Sequence, residues 1–110
     1  MATQMPFAAA PPYASYSVAS EAIISGDNWQ FVYASLQAYK AHVQEYPGCQ
    51  RFDAYVSPID GGDIRLHCYS IWDTPEELEA FLERGYTFER LLAHLRVAAP
   101  ERTLIMEKVF

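Results

Sequence analysis

Residues 63–82, DIRLHCYSIWDTPEELEAFL, constrain the fold of this chain more than any other segment. The first ten residues alternate between two faces as a strand does, and this strand ends on Trp72. Thr74 is then well placed as a helix N-cap, Pro75 as the first helical residue, and Glu77 as the partner that completes a capping box. The segment therefore predicts a strand that passes directly into a helix.

The spacing of apolar residues predicts the elements on either side of this segment. Strands are expected at 16–24, 49–57 and 102–110, and helices at about 28–45, 75–84 and, after a break at Gly85, from about 87. Asp27 is the expected N-cap of the first helix. The residues expected on the core side of the helices are Trp29, Val32, Leu36, Tyr39 and Val43 on the first, Leu78, Phe81 and Leu82 on the second, and Phe88, Leu91, Leu92 and Leu95 on the third.

The resulting order, β-α-β-β-α-β, is that of the ferredoxin-like α+β fold, a four-stranded antiparallel sheet with its helices on one face. By strand alternation, the open face of the middle hairpin carries Tyr55, His67, Tyr69 and Ile71. This face is too apolar to stay hydrated over its whole area. Packing against a second copy is the simplest remedy, so the sequence predicts a twofold homodimer.

The length and charge of the chain exclude several functional classes. A chain of 110 residues holds one domain, expected at residues 16–110 behind a flexible Ala- and Pro-rich arm at residues 1–15. The net charge of −6 argues against nucleic acid and against anionic membranes as partners. No apolar run approaches the ~20 residues that a membrane helix needs. The N-terminus lacks the basic start of a secretory signal, and Cys49 and Cys68 are expected to be free thiols, so we expect a cytoplasmic protein.

Trp72 is the residue on which most of the functional interpretation depends. Strand alternation puts it on the same side as Cys68 and Ser70, facing the helices. A large indole at this point could fill the core as a plug, or it could form the wall of a pocket and stack on a flat aromatic substrate. The sequence leaves both alternatives open.

Three histidines are candidates for acid–base chemistry. His67 lies on the opposite side of its strand, where an interface histidine bonded to a carboxylate such as Asp53 or Glu21 is favoured over a general base. His42 and His94 are expected on solvent-facing flanks of helices. No two histidines have the spacing of metal ligands, so no metal site is predicted.

Tyr39, Tyr86 and Arg90 are polar candidates on the helices. Tyr39 lies on the core stripe of the first helix, where its hydroxyl could hold a substrate oxygen or be satisfied by the backbone. Tyr86 and Arg90 follow the break at Gly85, a position suited to the lid of a pocket. Since the chain has no nucleophile elbow, phosphate loop or nucleotide fingerprint, catalysis would depend on the reactivity of the substrate itself.

Three segments together carry a family resemblance. They are EYPGC at 45–49, YSIW at 69–72 and DTPEELEAFL at 73–82. In this combination the chain, over about residues 16–110, resembles the antibiotic biosynthesis monooxygenase family of dimeric α+β barrels. That family typically shows Pro-Gly-Cys after its first helix and Trp-Asp before its second.

The resemblance implies a homodimer in which each subunit keeps a pocket between its sheet and its helices. The family includes oxygenases that act on anthrone-like polyketide intermediates without metal or flavin, quinol-type oxygenases and haem-degrading enzymes, and related barrels include cyclases and isomerases. The first strand lacks the Asn that haem-degrading members carry, so haem degradation is not expected. Polyketide oxygenases often carry an Asn near the tryptophan, where this strand offers Ser70 and Cys68.

These observations lead to one functional expectation with two alternatives. We expect a monooxygenase without a cofactor that uses molecular oxygen on a small aromatic or polyketide-like substrate, such as an anthrone or a quinol. A cyclase or isomerase on the same barrel, and a non-catalytic binding or dimerisation module, are the alternatives. The expected catalytic residues are Trp72, Tyr39 and His67, and the expected substrate-binding residues are Ser70, Cys68, Phe52, Phe81, Tyr86 and Arg90.

Overall fold

A computed structural model describes residues 15–97 and 102–108 of the chain. Within these ranges a 3₁₀ turn at Gly26–Asn28 precedes the first helix, and another at Asp60–Gly62 joins the two strands of the middle hairpin. Most of the predicted arm, residues 1–14, and the predicted end of the last strand, residues 109–110, lie outside the described residues. The strands and helices are β1 (Tyr16–Ser25), α1 (Trp29–Gln44), β2 (Cys49–Pro58), β3 (Asp63–Trp72), α2 (Pro75–Arg84), α3 (Phe88–His94) and β4 (Arg102–Glu107).

The four strands form one antiparallel sheet in the order β2-β3-β1-β4. β3 pairs with β1 along its whole length, from Trp72 opposite Tyr16 to Asp63 opposite Ser25. β4 returns beside β1 on the outer side, so the first and last strands are neighbours. This arrangement confirms the predicted ferredoxin-like α+β fold.

The core lies between the sheet and the helices, as the strand pattern predicts. On β1, and on β3 from Leu66 onward, every second residue is buried, and the residues between them are partly covered or exposed. Each large aliphatic side chain that is fully buried contributes about 1.5–3 kcal/mol to folding. The buried apolar residues are Tyr16, Val18, Ala22, Ile24, Val32, Leu36, Tyr39, Val43, Phe52, Leu66, Cys68, Trp72, Leu78, Phe81, Phe88, Leu91 and Leu92.

The start of α1 differs from the prediction in two ways. Asp27 is not the N-cap: the Ser25 hydroxyl accepts a hydrogen bond from the Asp27 backbone N–H at 3.2 Å and caps a short 3₁₀ turn that leads into α1. Trp29 does not extend the core stripe, because it is the first residue of α1 and its side chain is 38% exposed. It packs instead against Tyr33 on the outside of the helix.

The start of α2 confirms the cap predicted at Thr74. The Thr74 hydroxyl accepts from the Glu77 backbone N–H at 3.1 Å and donates to the Glu77 carboxylate at 3.0 Å. The prediction for Leu82 is wrong, since it is 37% exposed at the edge of the helix. Gly85 ends α2 as expected, with its N–H bonded to the Phe81 carbonyl.

The second face of the sheet is largely uncovered. Tyr55 is 58% exposed, and Ile23, Leu104 and Met106 on the same face are each more than a third exposed. Their registers on the paired strands place them on the side opposite the helices. No helix in the described part of the chain is long and apolar enough to cross a membrane.

Candidate functional site

A cavity of about 500 Å³, which we call the main cavity, lies between the helix side of the sheet and the helices. Its volume falls in the range typical of small-molecule sites. All four strands and all three helices contribute to it. The residues that line it are Val18, Ser20, Tyr39, Val43, Phe52, Cys68, Ser70, Phe81, Leu82, Thr87, Phe88, Glu89, Arg90 and Thr103.

Aromatic rings form much of the cavity wall. The rings of Tyr39 and Phe52 meet edge to face, with their centroids 5.4 Å apart. Phe81 and Phe88 line the cavity from α2 and α3, and both are buried. Since aromatic faces and edges pack well against other flat rings, these walls suit a flat, largely apolar ligand.

The polar groups in the wall of the cavity include two buried serines on neighbouring strands. The Ser70 hydroxyl accepts a hydrogen bond from the Trp72 indole N–H at 2.9 Å, and the Ser20 hydroxyl lies 3.4 Å from the Thr103 hydroxyl. Accepting a bond leaves the hydrogen of the Ser70 hydroxyl available to donate. The strand face therefore offers hydroxyl donors to a ligand oxygen.

Tyr39 adds a phenol to this wall. Its side chain is only 5% exposed, and its hydroxyl makes no hydrogen bond to any residue in the ranges 15–97 and 102–108. Burial raises the pKa of Tyr39 far above its usual value, and the nearby Cys68 and Tyr86 add to this effect. The phenol thus stays protonated at neutral pH and can act as a hydrogen-bond donor, whereas its phenolate is not available as a base.

Cys68 behaves in the same way. Burial raises the pKa of its thiol to about 12, so the thiolate is absent near neutral pH. The site of Cys68 is therefore neutral and apolar in character. It suits contact with a ligand better than nucleophilic attack.

The charged residues that the structure describes in the lining lie at the rim of the cavity. Glu89 and Arg90 are exposed residues in the first turns of α3, and both reach the lining. The Tyr86 hydroxyl donates to the Arg90 carbonyl at 3.3 Å, which ties the connection between α2 and α3 to the start of α3. Among the described lining residues, Glu89 is the one carboxylate, and none is a histidine.

Trp72 is a plug rather than a wall. It is 0% exposed and does not reach the cavity lining. Its ring stacks on Phe81 with centroids 5.1 Å apart, and its N–H is bonded to Ser70. Direct contact between Trp72 and a ligand is therefore excluded in this conformation, although Trp72 supports two residues that do line the cavity.

The structure separates His67 from the cavity. His67 lies on the uncovered face of the sheet, with its Nδ1 atom 3.3 Å from the Glu21 carboxylate. This contact confirms one of the two carboxylate partners expected from the sequence. The other, Asp53, pairs with Arg51 instead.

The expected solvent exposure of His42 is wrong, whereas that of His94 is confirmed. His42 is half-buried against Tyr46, Phe81 and Tyr86. Tyr86 was expected to bind the substrate, but it does not line the main cavity. Together with both histidines it lines a smaller cavity of about 240 Å³ between α1 and α3.

The structure thus brings together five of the six expected substrate-binding residues and one of the three expected catalytic residues. Ser70, Cys68, Phe52, Phe81 and Arg90 line one cavity with Tyr39. Sequence reasoning missed Ser20 and Thr103, although the alternation of β1 already put Ser20 on the helix side. Nothing in the local sequence marks Glu89, because its place at the rim depends on how α3 packs.

The sheet order and the cavity define a ferredoxin-like α+β protein that can enclose a ligand between its sheet and its helices. No family model matches the chain, and no curated protein matches it. Solved structures do match, all at low sequence identity, and so they show the fold.

Three of these structures illustrate the likeness. A candidate antibiotic biosynthesis monooxygenase from Chloroflexus aurantiacus matches with a TM-score of 0.61 and 19% identity, covering 87% of this chain and 94% of the other. SnoaB, described as a cofactor-independent oxygenase from Streptomyces nogalater, matches with a TM-score of 0.60 and 11% identity, covering 87% and 92%. A dimeric ferredoxin-like protein from an uncultured marine organism matches with a TM-score of 0.61 and 16% identity, covering 88% and 96%. The resemblance seen in the sequence is confirmed at the level of the fold.

Proposed function

We propose that this chain is a cofactor-independent monooxygenase that acts on a small aromatic or polyketide-like molecule, such as an anthrone or a quinol. The observation that carries the proposal is the main cavity, which combines aromatic walls with neutral hydroxyl donors. The likeness of fold to a protein described as a cofactor-independent oxygenase supports it. Because one fold can host many reactions, the residues of the cavity carry more weight than the fold.

In this proposal the cavity binds the substrate as a flat ring system between the Tyr39–Phe52 pair and the rings of Phe81 and Phe88. A carbonyl or hydroxyl oxygen attached to the ring system of the substrate accepts hydrogen bonds from the Tyr39 phenol and the Ser70 hydroxyl. When the substrate loses a proton, the negative charge spreads onto that oxygen. Donors already in place stabilise this charge more strongly than water does, because they need not reorient.

The reaction needs one base and one molecule of oxygen. Glu89 at the rim, directly or through water, removes a proton from the reactive CH₂ group of an anthrone, and the carbanion gives its electrons to O₂. A C–O bond forms, and the resulting peroxide takes the proton back from Glu89. The second C–H bond and the O–O bond then break, so that one oxygen atom stays in a new carbonyl while the other leaves as water. The substrate supplies every electron that reduces the oxygen, and the apolar walls keep bulk water from the carbanion.

Oxygen uptake with an anthrone tests this proposal. We expect uptake by the unaltered protein, and we expect Tyr39→Phe to lower kcat by about 100-fold, the usual effect of losing one preorganised donor to an oxyanion. Tyr33→Phe is the matched control, because Tyr33 lies on the same helix with its side chain 53% exposed. An absence of uptake with both anthrone and quinol substrates, or a Tyr39→Phe variant as active as the control, contradicts the proposal.

The main alternative is a non-catalytic ligand-binding module. One observation favours it. Glu89, the one carboxylate among the described lining residues, lies at the rim of the cavity and not in its interior. Saturable binding of the anthrone without any turnover selects this alternative. A cyclase or isomerase would need an acid and a base inside the cavity, and turnover that persists without oxygen selects it.

We also propose that two copies of the chain pair through their uncovered sheet faces. The face carries Tyr69, Ile71, Leu104 and Met106, and an apolar patch of this kind usually marks an interface. One of the structures with the same fold is described as dimeric. A C2 interface would bury the same residues on both subunits.

Sedimentation equilibrium tests the pairing. We expect a mass of twice the 12.5 kDa of the chain, and we expect Leu104→Glu to give monomers, since two carboxylates would be buried without partners. Tyr33→Glu places the same charge on the helix side and should leave the dimer intact. A monomeric unaltered protein, or a dimer that tolerates Leu104→Glu, rules out this interface.

A further inference from the structure

A hydrogen bond joins two distant parts of the chain beside the main cavity. The Nε2 atom of His42 on α1 accepts from the backbone N–H of Tyr86 at 2.9 Å, across 44 residues of sequence. Tyr86 lies in the short connection between α2 and α3. The rings of the two residues also pack edge to face, with centroids 6.0 Å apart.

This connection determines the position of much of the cavity wall. Phe81 and Leu82 line the cavity just before it, and Thr87, Phe88, Glu89 and Arg90 line the cavity just after it. Gly85 packs so closely on Phe81 that a Cβ atom at this position would lie 2.7 Å from the Phe81 carbonyl oxygen. The hydrogen bond between Tyr86 and His42 therefore attaches this segment to α1. The segment carries both sides of the cavity rim.

We propose that His42 is a positioning residue whose neutral imidazole holds the rim of the cavity in place, and whose protonation releases it. The inference rests on the proposed function to the extent that it takes the main cavity as the substrate site. An Nε2 atom that accepts a hydrogen bond carries no proton, so the ring is neutral and its proton is on Nδ1. Protonation turns Nε2 into a donor, and two N–H groups then face each other.

Among the described residues that line the smaller cavity beside His42, none is a carboxylate that would compensate for this loss. The described residues that line the smaller cavity beside it are neutral apart from the histidines. The titratable groups that face His42 are the phenols of Tyr39 on α1, of Tyr46 just after α1 and of Tyr86 in the connection, with His94 on α3, whereas α2 contributes the Phe81 ring. When His42 is protonated, the segment from Gly85 to Arg90 therefore has to move or to lose its hydrogen bond to His42.

Hydrogen exchange of the Tyr86 amide, followed by NMR at about pH 7.5 and about pH 5 across the usual titration range of histidine, tests the first half of the inference. After correction for intrinsic rates, we expect protection of this amide to fall by about threefold to tenfold at the lower pH, the usual effect of losing one hydrogen bond. Anthrone affinity, measured by tryptophan fluorescence, should weaken over the same range. Lys40→Gln serves as a neutral surface control.

Three substitutions distinguish the effect of His42 on this pH dependence from the effects of other groups. His42→Gln keeps an acceptor near the Nε2 position but does not titrate, so it should retain protection and lose the pH dependence. His42→Phe keeps an aromatic ring without an acceptor, so it should show the low protection at both pH values. His94→Gln removes the other histidine of the smaller cavity and should behave as the unaltered protein does.

The two readouts distinguish this inference from the proposed function. If the Tyr86 amide responds to pH as described but anthrone does not bind at either pH, the positioning of the segment stands and the proposed substrate site fails. A pH-independent Tyr86 amide overturns the inference about His42, as does a His42→Gln variant that keeps the pH dependence. Neither result depends on catalytic turnover.

Discussion

Replacing Trp72 with alanine should lower the free energy of unfolding by about 3–5 kcal/mol, the usual range for removing a buried tryptophan. Trp72 is completely buried, stacks on Phe81 and donates to Ser70. The substitution removes the stacked ring and leaves a void behind the cavity wall. It also removes the N–H group that donates to the buried Ser70 hydroxyl. Urea denaturation followed by circular dichroism measures the change. Because small domains are stable by only about 5–15 kcal/mol, this loss would be a substantial part of the total stability.

Trp29→Ala is the matched control for this prediction. Trp29 is 38% exposed on the outside of α1, so its loss should cost about 1 kcal/mol or less. Trp72→Phe separates packing from hydrogen bonding, since it keeps an aromatic ring and removes the N–H. We expect it to cost about 1–3 kcal/mol. Equal losses in the two alanine variants would show that Trp72 is not the plug described above.

Replacing Gly48 with alanine should lower the free energy of unfolding by about 2–5 kcal/mol. The backbone at Gly48 has a φ of +87°, which costs about 1–2 kcal/mol for a residue with a Cβ atom. A Cβ atom there would also lie 2.7 Å from the Cβ of Glu77, and overpacking of this kind costs about 1–3 kcal/mol. Thermal and urea unfolding measure the loss.

Gly61→Ala separates the two contributions at Gly48. Gly61 has a similar φ of +81°, but no atom lies within 4 Å of the Cβ position. It should therefore show the backbone cost of about 1–2 kcal/mol without the cost of overpacking. If the two variants are equally stable, the contact between the loop at Gly48 and the start of α2 does not resist displacement.

This contact explains why Gly48 matters beyond the end of one helix. The Asp73 backbone N–H donates to the Gly48 carbonyl at 2.9 Å, and Glu77 packs against the same glycine. The loop after α1 thus lies directly on the hinge between β3 and α2. The sequence predicts a helix stop at Gly48, but it does not predict this neighbour, because the two segments are more than twenty residues apart.

The predictions that succeeded depend on short-range physics. Alternation along β3 placed Cys68 and Ser70 on the helix side, and the Thr74 cap fixed the start of α2. Both signals come from residues a few positions apart, where backbone geometry determines the outcome. The failures at Asp27 and Trp29 occurred at the start of α1, where a 3₁₀ turn capped by Ser25 precedes the helix.

The sequence by itself determined the order of the elements and the face of the sheet on which most strand residues lie. It did not show the register shift between Cys49 and Arg51, which breaks the alternation at the start of β2. It could not determine whether Trp72 reaches a cavity, because that depends on where Phe81 of α2 comes to rest against it. The same limit applies to His42, whose partner Tyr86 is 44 residues away. Contacts of this kind result from the packing of one element against another, which no local pattern encodes, and only the tertiary structure decided them.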